Sequence, residues 1–217
     1  MIVQTMTVQE IYKEVFEDFD TLEKKIDTCK HNFERFVLKS SRYPVVKSYT
    51  FLTKKKNVVT VTFTARKRSE RKKPILGFYA IYSRPEGRYA VSITIPSKII
   101  SIYPPHFFKR YRERILKDDT ISNQDIINVF FKNNWGFTFA VVNDEYESVY
   151  QSFESTHTDE NLSFVAATSQ GYCFGEYKDS VNILKTIISK EMLFDKQKPI
   201  FNELQNNYDE IQKAMFD

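Results

Sequence analysis

The stretch NVVTVTFTARKRSERKKPILGFYAIYS, residues 57–83, decides the fold class. Its two ends are dense in β-branched and aromatic residues, the composition of strands. The basic run between them cannot enter a core. Together with VKSYTFLT (46–53) and RYAVSITIP (88–96), it predicts two successive antiparallel hairpins. The second turns at Arg84-Pro85-Glu86-Gly87, with proline and glycine where a type I turn favours them.

Upstream the period changes from two to that of a helix. Val8, Tyr12, Val15, Phe19, Leu22, Ile26, Cys29, Phe33 and Phe36 recur at alternating spacings of four and three, a heptad seam. Thr7 followed by Glu10 makes a capping box at its start, so one long helix is expected over about 7–40. Phe201, Leu204, Tyr208, Ile211 and Met215 repeat the spacing at the far end. The two terminal helices are expected to pair with each other or between subunits. Downstream, GFTFAVV (136–142), YESVYQS (146–152), LSFVAAT (162–168), YCFGEY (172–177) and VNILKTIIS (181–189) read as further strands. The expected class is α+β: an antiparallel sheet with a central pair of helices, framed by long heptad-patterned terminal helices. Residues 1–42 form the first helix, 43–195 the α+β core and 196–217 the last helix.

A formal net charge of +4 conceals segregation along the chain. Residues 51–118 hold 17 Lys/Arg against 4 Asp/Glu, and the rest holds 15 against 24. Such a block suits a polyanion, because clustered cations neutralise phosphates and release counterions, although a solvated lysine-rich surface has the same composition. The expected ligand is RNA or another polyanion, gripped by Lys54, Lys55, Lys56, Arg66, Lys67, Arg68, Arg71, Lys72, Lys73, Lys109 and Arg112. Cys29 and Cys173 lie far apart, as do His31, His106 and His157. We therefore expect reduced thiols, no zinc or other metal site and no cofactor. No signal-like or membrane-length apolar run occurs, which predicts a cytoplasmic protein without a membrane partner.

Within YPPHFFKRYRERILKDDTISNQDI (103–126), Pro104 and Pro105 suit a helix start. At 100° per residue, Phe107, Phe108, Tyr111 and Ile115 share one side, opposite a stripe of His106, Arg110 and Glu113 bordered by Lys109 and Arg114. Any surface helix has a charged face, but histidine titrates near neutrality and arginine offers forked donors to a phosphate. Glu113 would move a proton or orient Arg110. Ser122 with Asp125 caps a second helix, whose apolar face is Ile126, Ile127, Phe130 and Phe131.

The order HFFKRYRER then ISNQDII resembles the pattern His-x-x-x-Arg-x-x-x-Arg followed by Ile-Ser and an acidic-apolar helix. That pattern occurs in small bacterial domains related to BrnT-type toxins, within the broader RelE-like ribonuclease fold. The resemblance covers residues 106–127 and places His106, Arg110 and Arg114 on the pattern, with Glu113 adjacent. It implies a short helical pair on an antiparallel sheet and RNA cleavage without a metal ion. Lys185, flanked by Leu184 and Ile187, either reaches solvent from an edge strand or joins that site. The expected catalytic set is His106, Arg110, Glu113, Arg114 and Lys185. The alternative is a non-catalytic module that binds nucleic acid or protein and assembles through its terminal helices.

Overall fold

The computed structural model describes residues 1–95, 97–153 and 161–214. The chain forms two compact units, Met1–Ile100 and Ser101–Asp217. Nine strands and five α-helices occur among the described residues.

In the first unit, helix α1 (Val8–Lys39) begins at the expected capping box: the Thr7 hydroxyl accepts from the Glu10 amide while the Glu10 carboxylate accepts from the Thr7 amide. Strands β1 (Val45–Leu52), β2 (Val58–Ala65), β3 (Ile75–Arg84) and β4 (Gly87–Thr94) follow as an antiparallel meander in that order. The second hairpin closes where Arg84 pairs with Gly87, leaving Pro85 and Glu86 as its two-residue loop. Gly87 has φ 136, which only glycine adopts without strain.

Every residue of β2 after Val58 is buried. On one side Phe63 stacks on Phe33 of α1, with ring centres 5.5 Å apart. The other side is threonine: Thr62 pairs with Ser48 of β1 at 3.0 Å, and Thr60 with Thr50 at 3.2 Å, so the buried hydroxyls satisfy one another across the ladder.

The stripe that α1 buries differs from the expected seam. Ile11, Val15, Leu22, Ile26, Cys29, Phe33 and Val37 are buried, while Phe36 is 44% exposed. The helix lies on one sheet, and that calls for an amphipathic 3.6-residue stripe rather than the narrower seam of a coiled coil. Glu14 and Asp18 are buried in the same stripe. Their partners come from the β1–β2 turn: Thr53 donates to Asp18 at 2.9 Å, Asn57 donates to Glu14 at 3.1 Å and also to Asp18, and Lys55 reaches Glu14 at 2.8 Å. The Met1 ammonium also binds Glu14, at 2.7 Å.

Burial raises the Glu14 carboxyl, but hydrogen bonds from Lys55, the ammonium group and Asn57 outweigh it and hold it down at about 2. A carboxylate depressed in the folded state stabilises above its ordinary value of 4.5, and that stabilisation is lost as pH falls towards about 2. The contribution is about 2–3 kcal/mol. Urea unfolding at pH 5 and at pH 2.5 should therefore lose more stability in the wild type than in Glu14→Gln. Equal losses would refute the assignment.

Strand β5 (Ile99–Tyr103), not anticipated from the sequence, crosses the boundary between the units. The second unit continues with α2 (Pro105–Tyr111), a π-helical turn (Arg112–Leu116), α3 (Asp125–Asn133), β6 (Thr138–Val141), α4 (Asp144–Phe153), β7 (Leu162–Ala167), β8 (Tyr172–Lys178), β9 (Val181–Ile188) and α5 (Lys198–Ala214). Strands β9, β8, β7 and β6 neighbour one another in that order, and the pairs among them are antiparallel. Helices α2 and α3 meet through Phe107, Phe108, Tyr111 and Phe130; the Ser122 hydroxyl accepts the Asp125 amide at 3.1 Å, but Gln124 rather than Ser122 is the N-cap of α3, so the expected capping box is not formed.

Residues 146–152, expected as a strand, are helical. Tyr146, Val149, Tyr150 and Phe153 fall at i, i+3, i+4 and i+7, and the Asn143 side chain caps the amides of Glu145 and Tyr146. That stripe packs with Val165, Phe174, Phe201, Leu204 and Tyr208 in one core. Helix α5 buries Phe201, Leu204 and Tyr208 within its own unit; Ile211 is 40% exposed, and Met215 lies outside the described residues. No helix among the described residues is long and apolar enough to cross a membrane.

Candidate functional site

The basic run of residues 66–73 is a fixed turn rather than a loose loop. Residues Arg68–Lys72 form a 3-10 helix against α1. Its one acid, Glu70, is buried and accepts from the Arg66 backbone amide at 2.7 Å, from Arg66 Nε at 3.2 Å and from Nη2 at 3.0 Å. With that carboxylate turned inward, Lys67, Arg68, Lys72 and Lys73 are exposed and Arg71 half-buried. Charges of one sign on a short pinned turn resist one another, and Glu70 supplies the compensation from below.

The other cations expected to bind nucleic acid divide in two. Lys54 and Lys56 are exposed at the β1–β2 turn, whereas Lys55 is held by Glu14 and Glu17. Those hydrogen bonds push the Lys55 ammonium above its ordinary range. In the second unit Lys109 is exposed, and Arg112 is half-buried with Nη2 on Asn123 at 2.7 Å.

The stripe on α2 is present only in part. His106 and Arg110 are exposed, and Arg110 Nη1 donates to Glu113 at 3.2 Å, an ordinary i, i+3 pair. Arg114 leaves the stripe. After Tyr111 the helix widens, closing with the Lys117 amide on the Arg112 carbonyl at 2.8 Å and Lys117 at φ 52. Arg114 Nη1 then donates to the Thr186 hydroxyl at 3.0 Å and to the Ile187 carbonyl at 3.2 Å, and its guanidinium lies 5.8 Å from the Phe153 ring centre.

Lys185 lies beside that contact at a break in the β8–β9 ladder. Phe174 pairs with Thr186 and Gly175 with Leu184, so Lys185 is the extra residue of a bulge. Its ammonium binds Glu176, which is 4% exposed and also accepts from Asn161 at 2.9 Å. The structure therefore brings Arg114 to Thr186 and Ile187 of β9, turns the neighbouring Lys185 to Glu176, and leaves His106 and Arg110 exposed on α2. Cys173 is buried, which pushes its thiol well above the ordinary range and removes it as a nucleophile.

Compared with family models, curated proteins and solved structures, the chain matches none.

Sequence reasoning missed Glu70, Thr186 and Phe153 as parts of these arrangements. Glu70 carried a signal, being the one acid in a basic run and four residues after Arg66. Thr186 and Phe153 carried none, because only the fold brings them to Arg114.

Proposed function

We propose that this chain binds RNA, gripping the phosphate backbone through the pinned turn of residues 66–73. The observation that carries this is the inward Glu70 carboxylate, which fixes the turn and leaves Lys67, Arg68, Lys72 and Lys73 exposed. A rigid cluster of cations loses little conformational entropy on meeting a phosphate chain. Lys54 and Lys56 are exposed on the same unit, at the opposite end of β2 from this turn.

The test is the salt dependence of binding to a single-stranded RNA. Replacing Lys67, Arg68, Lys72 and Lys73 with serine should lower the magnitude of the log–log salt slope by about 3. Glu70→Ala, which keeps all four cations but frees the turn, should weaken binding with the slope retained. Unchanged affinity and slope in the fourfold variant would refute the interface.

Cleavage of the bound RNA is a second function, supported by the exposed His106 at the head of α2, one turn before the oriented Arg110, and by the ribonuclease-like pattern of residues 106–127. The 2′-oxygen would attack the adjacent phosphorus while the bond to the 5′-oxygen breaks. His106 would transfer protons, and Arg110 would stabilise the charge on the phosphate. Cleavage in EDTA that disappears in both His106→Ala and Arg110→Ala would support it. RNA left intact by the wild type would leave binding alone.

A further inference from the structure

We infer that the second unit holds a phosphate-binding site centred on Arg114, where the π-helical turn of residues 112–116 meets the bulge in β9. Both irregularities are local departures from regular structure, of kinds that recur where a side chain is re-aimed for function. Here they converge on one guanidinium and its neighbour on the strand.

The way Arg114 is held decides the chemistry. Both of its bonds to the strand use Nη1: one to the Thr186 hydroxyl and one to the Ile187 carbonyl. The Phe153 ring adds a further support. Nε and Nη2 bind no described residue, and this pair of donors is the edge of the fork that takes two oxygens of one anion side by side. The group is thus anchored by one nitrogen with its recognition edge left over. Neutral acceptors anchor it, and no carboxylate among the described residues lies within ion-pair distance of it. Burial and the nearby Arg110 disfavour the charged guanidinium, and Glu113 offsets them only in part. An anion on the free edge removes that imbalance.

Charge selects phosphate over a carboxylate. Arg110 lies within Coulombic reach of Arg114, and Lys185 is adjacent to Thr186 in sequence. Glu176 pairs with Lys185, and Glu113 pairs with Arg110 while also acting on Arg114, so one acid faces two arginines and a net positive charge is left for the ligand. Phosphate and carboxylate both fit the fork with two oxygens, and the greater charge of a phosphate meets the two arginines better. The site lies in a different unit from the turn at residues 66–73 and does not depend on RNA binding there.

The full chain should be titrated at constant ionic strength with inorganic phosphate, a 5′-mononucleotide, a dinucleoside phosphodiester and acetate, following the arginine Nε–H signals. Arg114→Lys identifies the relevant signal. At least one phosphorus compound should shift it in the millimolar range, and Arg114→Lys should weaken that binding by about tenfold or more. Response to phosphate and the mononucleotide identifies a terminal phosphate, and response to the diester alone identifies a backbone phosphate. Where Arg114→Lys fails to fold by circular dichroism, Arg114→Gln assigns the signal in its place. No shift with any of the three, or an equal shift with acetate, would overturn the site. The fourfold serine variant of residues 67, 68, 72 and 73 should retain the response, and its loss there would also overturn it.

Discussion

Replacing Lys185 with alanine should lower the unfolding free energy by about 3–5 kcal/mol, the range for removing one partner of a buried ion pair. Glu176 is buried, and the lysine side chain itself is only 14% exposed. Alanine removes the cation and keeps the desolvation of the acid, and it also removes packing at the bulge. Lys185→Met with Glu176→Leu replaces the pair with apolar groups of similar size and should recover most of the loss. Urea unfolding of the wild type, the single variant and the double variant measures both steps. A single variant within about 1 kcal/mol of wild type would mean that the pair is solvent-screened in solution.

Phe33→Ala should be as damaging in the first unit, at about 3–5 kcal/mol. Phe33 is fully buried and joins α1 to β2 through the stacked contact with Phe63. Its loss removes the transfer free energy of a large side chain and opens a cavity between rigid elements. Phe36→Ala, one turn away on the same helix, is the control: that ring is 44% exposed and its loss should change stability by well under 1 kcal/mol. Comparable effects at both positions would contradict the helix rotation described above and restore the seam expected from spacing alone.

Those two phenylalanines mark where spacing ceases to be informative. Thr7, Glu10 and the apolar positions that follow place α1 to within a residue at each end, because capping and periodicity are local. Which of Phe33, Phe36 and Val37 faces inward depends on the surface that the helix meets. The strands of residues 45–94 and their Arg84–Gly87 turn were legible for the same local reason. YESVYQS was misread because its aromatic and β-branched residues favour a strand, while the 3.6-residue placement of Tyr146, Val149, Tyr150 and Phe153 suits a helix. The core formed with Phe174 and Phe201 decided between the two.

The candidate sites divide in the same way. Residue type and position along the chain mark the basic run, the start of α2 at Pro105, and His106 and Arg110 as exposed groups on one helical face. Three consequences came only from the tertiary structure: Glu70 turned inward beneath the basic turn, Lys55 neutralised by α1, and Arg114 drawn from its stripe to Thr186 on β9. Each joins residues whose proximity no short-range rule encodes, or depends on a side chain choosing between solvent and a buried partner. Local sequence sets helix and strand through backbone preferences that act over a few residues. A charge finds its partner only after distant segments have packed and water has been excluded between them.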